Sequence, residues 1–133
     1  MTTERYRRNA GSVYSLKYHV VFCPKYRRSV LTGPIAEDLK ALLHEKAIAL
    51  KAETLSLDVM PDHVHLFVAS DPTLAVQFLV NQFKGYTSRV LRQRYPSLVS
   101  RLPALWSRSY YCGTVGHVSE ETVRRYIKAQ KGK

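Results

Sequence analysis

MPDHVHLFVA, running from Met60 to Ala69, is the stretch from which the rest of the chain can be read. The apolar run Leu66-Phe67-Val68 makes its second half a buried strand, and Pro61-Asp62 makes its start a tight turn. Side chains on a strand alternate between faces, so His63 and His65 point the same way, roughly 6–7 Å apart along the chain. Val64 and Leu66 point to the opposite face. Two neighbouring imidazoles can grip one metal ion, although a His-x-His pair taken alone is more often packing than a ligand pair. Just upstream, Thr54 to Met60 alternates in the same way and reads as a strand. Two strands joined by so short a turn form an antiparallel hairpin.

Working outward, the segment before the hairpin carries a helical period. Gly33-Pro34 opens a helix, with proline at its favoured first position. Ile35, Leu39, Leu42, Leu43, Ala47 and Leu50 then recur at three- and four-residue spacing, to about Lys51. His44 falls at the boundary of that face. Earlier still, Tyr14, Leu16, Tyr18, Val20 and Phe22 alternate with Ser15, Lys17 and His19, predicting a half-buried strand from Val13 to Cys23 that Pro24 stops. Met1 to Gly11 is polar and basic and reads as a loose arm.

After the hairpin, Asp71-Pro72 reads as a cap followed by a first-turn proline. Ala75, Phe78, Leu79, Phe83, Tyr86 and Val90 mark the expected buried face of a long helix, with Lys84, Arg89, Arg92 and Arg94 on its outer side. Tyr95-Pro96 ends it. A loop then leads to a fourth strand within Leu105–Thr114. Gly113 and Gly116 bracket a link to a last helix capped by Ser119, with Glu120 and Glu121 in its first turn. The order strand, helix, strand, strand, helix, strand is the split β-α-β arrangement of ferredoxin-like α+β domains. It gives a four-stranded antiparallel sheet with two helices on one face, plus a C-terminal helix, within one domain spanning residues 1–133. The aromatic octapeptide of RNA-recognition modules is absent.

Composition narrows the function. Among 133 residues, Lys and Arg total 21 against 10 Asp and Glu, a net charge of +11 that favours a polyanionic partner. Nine tyrosines interleaved with those charges suit exposed bases, because aromatic faces stack on single-stranded nucleic acid. Arg7, Arg8, Lys25, Arg27, Arg28, Lys84, Arg89, Arg92, Arg124 and Arg125 are the candidate DNA contacts. No apolar run is long enough to cross a membrane and no signal segment is evident, so a cytoplasmic location is expected. Cys23 and Cys112 have no metal-ligand spacing and read as reduced core residues.

Three motifs then occur in order: YHVVFCPKYRR from Tyr18, PDHVHLFV from Pro61 and VRRYIKAQ from Val123. Together they closely resemble the single-tyrosine HUH transposases of small insertion sequences, the TnpA type, over almost the whole chain. The resemblance implies that His63 and His65 are the paired histidines and Tyr126, four residues before Gln130, is the nucleophile. It makes Gln130 the third protein ligand of Mg2+ or Mn2+. It also implies a homodimer, in which the tyrosine helix can complete a site with histidines of the other subunit. The implied substrate is single-stranded DNA carrying hairpins at the ends of an insertion sequence.

The chemistry is consistent with those roles. A tyrosine hydroxyl, with an ordinary pKa of about 10, is a poor nucleophile at neutral pH. A cation held by two imidazoles and a carboxamide would bind a phosphate oxygen and orient the scissile bond. A 5′-phosphotyrosine would retain the phosphodiester energy for rejoining. Ligand type alone favours manganese over magnesium and leaves zinc open. No general base is identified, although His117 lies near the last helix. The alternatives are a domesticated relative acting on chromosomal repeats, a zinc hydrolase, and a ferredoxin-like nucleic-acid-binding module without catalysis.

Overall fold

A computed structural model of the protein describes residues 7–9, 12–14, 16–114 and 120–133. Ten elements matter for the site. They are β1 (Arg7–Asn9), β2 (Ser12–Tyr14), β3 (Lys17–Phe22), α1 (Gly33–Ala49), β4 (Glu53–Met60), β5 (His63–Ala69), α2 (Val76–Arg94), α3 (Pro96–Arg101), β6 (Tyr111–Thr114) and α4 (Glu120–Ala129).

The main sheet has the order β4-β5-β3-β6, and every neighbouring pair is antiparallel. This is the expected ferredoxin-like layout. The hairpin is also as expected, with Met60 paired to His63 across the Pro61-Asp62 turn. Alternation sorts the strands into two faces. Val20 and Phe22 of β3 and Val64, Leu66 and Val68 of β5 enter one core with Leu39, Leu42, Leu43 and Ala47 of α1 and Leu79, Val80, Phe83 and Leu91 of α2. The other face carries His19, Val21, His63, His65, Phe67 and Tyr111, by the same alternation and register. Val21 is fully buried there, and α4 packs across β3.

Several boundaries differ from the sequence reading. The expected Val13–Cys23 strand is two: β2 pairs with β1, and β3 alone enters the main sheet. Residues 7–9 are therefore strand rather than loose arm. The Asp71 carboxylate accepts from the Thr73 amide at 2.7 Å, closing a local turn, and α2 begins only at Val76 with Ala75 as its cap residue. Leu79 and Phe83 are buried as expected, and Tyr86 and Val90 pack against the core. Val80, Thr87 and Leu91 are inside, whereas Phe78 is 46% exposed.

Pro96, expected to end α2, also starts α3, where the sequence predicts a loop. The fourth strand is shorter than Leu105–Thr114, but its lead-in still pairs with the chain beyond β3. The Lys25 amide donates to Leu105 O at 2.8 Å, and the Ser107 amide donates to Cys23 O at 2.9 Å. Trp106 is anchored there, edge-on to Phe22 with ring centroids 4.7 Å apart. Its indole N–H donates to Thr87 Oγ1 at 3.0 Å, which satisfies a polar atom that burial would otherwise penalise. The expected cap Ser119, the link glycine Gly116 and His117 lie outside the described residues.

Candidate active site

The histidine strand is positioned by its own hairpin. Asp62, in the turn, accepts from His63 Nδ1 at 2.8 Å. A carboxylate on one ring nitrogen fixes the tautomer and leaves Nε2 with its lone pair outward, the usual arrangement behind a metal-binding imidazole. His65, two residues on, shares that face and meets a third histidine that the sequence reading assigned only to a strand face. His19 Nδ1 lies 3.2 Å from His65 Nε2, and the His19 ring stacks on Phe67 with centroids 4.3 Å apart. The register Val21↔His65 and His19↔Phe67 places them diagonally. Burial holds the His65 imidazole below its ordinary pKa, reinforced by the neighbouring His19 and His63 and opposed by Asp58. Burial likewise lowers His19. Both rings are thereby biased toward the neutral form that a cation requires.

Tyr126 and Gln130 come together as their four-residue spacing predicts. Ser109 joins them. Its hydroxyl lies 2.7 Å from the Tyr126 hydroxyl and donates to Gln130 Oε1 at 3.0 Å. Gln130 is buried, not solvated. The Tyr126 ring also sits 6.1 Å from that of Tyr111. Burial pushes the phenol above its ordinary pKa, and its hydrogen-bonded contact with Ser109 pulls it partly back.

The strap from Ser107 to Ser109 is held from beneath by Lys84, whose ammonium donates to Ser107 O at 2.7 Å and Ser109 O at 3.3 Å. Lys84 therefore points inward, where burial lowers its pKa, and not outward as the helical pattern suggested. The nearby Cys23 thiol is raised to about 11, chiefly by burial, with Asp62 adding to the rise and Arg27 and Lys84 opposing it. Cys23 and Cys112 are both free.

Among the described residues, the hydrogen bonds of Tyr126 and Gln130 lead to Ser109, while His63 and His65 bond to Asp62 and His19. Val21 pairs with His65 on one side and Tyr111 on the other. The histidine strand and the strand under Tyr126 are therefore two strand spacings apart, roughly 10 Å. No three His, Cys, Asp or Glu side chains converge among the described residues. The donor set is two imidazoles on one face, one of them backed by the Asp62 carboxylate, plus a carboxamide on α4, a chemistry that fits a divalent cation.

The remaining basic candidates divide. Arg28, Arg89, Arg124 and Arg125 are exposed and Lys25 and Arg92 partly so. Arg125 pairs with Glu121 at 2.7 Å, and Arg89 lies over the Tyr86 ring. Arg27 is engaged inside the protein, 3.2 Å from the Asp62 carboxylate. Arg7 and Arg8 lie on β1.

Residues 12–130 match the family model described as "Transposase IS200 like". The chain belongs to the IS200-like transposase family. The ISDra2 transposase TnpA of Deinococcus radiodurans is 36% identical over 129 residues, covering 96% of this chain and 92% of the relative. The transposase for insertion sequence element IS200 of Salmonella typhimurium is 29% identical over 123 residues, 91% of this chain and 80% of that one. A crystal structure from Deinococcus radiodurans R1 superposes on this IS200-like transposase with a TM-score of 0.88 at 32% identity, covering 96% of this chain and 99% of the other. The REP-associated tyrosine transposase bound to a REP hairpin shares the fold, with a TM-score of 0.50 at 15% identity. It matches 94% of this chain and 68% of that one. Among the described residues, no helix is long and apolar enough to cross a membrane.

Proposed function

We propose that this IS200-like transposase cuts and rejoins single-stranded DNA at hairpin-marked element ends, through a covalent bond between Tyr126 and a DNA 5′-phosphate. The observation that carries this reading is the meeting of Tyr126 and Gln130 on one hydroxyl, that of Ser109. The helix thus presents a phenol and a carboxamide together, as a nucleophile and a ligand on one arm would need to be. Similarity to insertion-sequence transposases over nearly the full chain supports an element transposase over a domesticated relative. The hairpin named with the REP-associated neighbour, together with the +11 charge, supports a hairpin-bearing polyanion as substrate.

The phenol oxygen of Tyr126 attacks the scissile phosphorus. A P–O bond forms to tyrosine, the P–O3′ bond breaks, and the 3′ oxygen leaves as a hydroxyl after taking a proton. A DNA 3′-OH later attacks the same phosphorus and releases the tyrosine. His63, His65 and Gln130 would hold Mg2+ or Mn2+, which when bound supplies a positive centre for the phosphate oxygens. Asp62 keeps His63 in the tautomer with its Nε2 lone pair available, and burial keeps His65 neutral. Ser109 holds the phenol in the isolated chain, and α4 leaves Ser109 to act. It then reaches the histidines of its own chain or those of a second copy, and a homodimer with exchanged tyrosine helices provides the second route.

The purified protein, incubated with a hairpin-bearing single-stranded oligonucleotide and Mn2+, should give a protein–DNA adduct on a denaturing gel. Tyr126→Phe and EDTA should each abolish it. An adduct that persists in the phenylalanine variant refutes the assignment, and turnover to free 5′-phosphate with no adduct favours water as the nucleophile.

A further inference from the structure

Between α4 and the histidine strand lies a side-chain bridge that the reaction as written does not use. Arg27 Nη1 donates to the carbonyl of Ile127, the residue after Tyr126, at 3.2 Å. The same guanidinium faces Asp62, with Nε 3.2 Å from Oδ2. The other carboxylate oxygen, Oδ1, accepts from His63 Nδ1 at 2.8 Å. The Arg27 and Asp62 side chains are only 23% and 27% exposed, so water screens these contacts less than it would at the surface. A planar guanidinium can serve a carboxylate and a carbonyl at once, which a single ammonium cannot.

The backbone beneath the bridge is also unusual. Tyr26 and Arg27 are successive non-glycine residues in the left-handed region, with φ of 61° and 52°. Such a conformation persists only where surrounding contacts enforce it. Here the Lys25 amide is tied to Leu105 O, and the Gly132 amide reaches Tyr26 O at 3.5 Å. The strained turn thus points Arg27 inward at two functional elements instead of outward at solvent.

We infer that Arg27 and Asp62 are positioning residues that couple the seating of the tyrosine helix to the orientation of His63. With α4 seated, Ile127 occupies one arm of the guanidinium, and the Nε side, in ion-pair range of Asp62 without a hydrogen bond, holds the carboxylate by charge against His63. Undocking of α4 releases the first arm and loosens the second. The inference rests on the roles proposed above for Tyr126 and His63. An ion pair that served only to stabilise the fold would respond at its own two ends and no further.

Full-length protein, Arg27→Gln, Arg27→Lys and Asp62→Asn are compared by amide hydrogen exchange at residues 127–132 and by Mn2+ affinity without DNA. Circular dichroism confirms that each variant is folded. Arg27→Gln should raise exchange at the end of α4 several-fold and weaken Mn2+ binding about tenfold, the scale of lost outer-shell support for a ligand. Asp62→Asn should weaken Mn2+ binding likewise and, through Arg27, also raise α4 exchange. Arg27→Lys keeps the charge on Asp62 but loses the fork, so exchange should rise while Mn2+ affinity stays within about twofold. Asp62→Asn with unchanged α4 exchange, or Arg27→Gln with unchanged Mn2+ affinity, overturns the coupling. Failure of the functional reading is separate: a wild-type protein that neither binds Mn2+ nor forms an adduct would refute that reading. In that case the α4 exchange response to Asp62→Asn still decides the bridge.

Discussion

His65 stands between two other imidazoles, and that crowding has a measurable consequence. Its ordinary pKa of 6.5 is lowered by burial and by its neighbours, and His19 is lowered by burial. Between the depressed folded value and 6.5, the unfolded chain binds more protons than the folded one. Metal-free stability should therefore rise with pH through that window and fall as pH drops below 6.5. Ser109 offers a second test at this scale. Ser109→Ala removes the hydroxyl holding both Tyr126 and Gln130, a hydrogen bond worth about 1 kcal/mol. Initial adduct formation should then be about fivefold faster, and a slower rate would mean that Ser109 positions the nucleophile instead of restraining it. That His63 and His65 share one sheet face was legible from spacing alone, whereas their pairing as ligands rests on the resemblance of PDHVHLFV. His19 was not legible, because its place beside His65 depends on the register between β3 and β5, which lie 46 residues apart in sequence at this contact.

At the scale of elements, α2 and α4 teach opposite lessons. Tyr126 and Gln130 share a partner because four residues make one turn, a relation internal to one helix and hence readable. The face of α2 was placed in part: Leu79 and Phe83 are buried as expected, while Phe78 is exposed. Asp71 closes a turn on Thr73, the helix begins at Val76, and packing against α1 and the sheet then chooses Val80, Thr87 and Leu91 for the interior. Lys84 turns inward to the Ser107 and Ser109 carbonyls, while Arg89 stays outside. Binding of single-stranded DNA should register the difference. Each phosphate contact contributes roughly 0.7 to the slope of log affinity against log salt. Arg28→Gln and Arg89→Gln should each flatten the slope by about that amount, whereas Lys84→Met should leave the slope unchanged and lower the melting temperature by freeing Ser107 O and Ser109 O.

At the scale of the whole molecule, the sheet order β4-β5-β3-β6 leaves one face to the core and gives the other to the histidines and α4. That layout was legible because alternating strands and apolar-striped helices follow one another in a single workable order. The division of the first strand and the added α3 were not, since both depend on which segments find pairing partners. The chain seats the phenol on Ser109 and the imidazoles on Asp62 and His19. The central claim is that the phenol oxygen of Tyr126 bonds to DNA. Mass spectrometry of the protease-digested adduct tests it most directly: a nucleotide on the peptide containing Tyr126, with fragmentation placing the phosphate on that tyrosine, is the predicted result. A phosphate mapped to any other residue would contradict it.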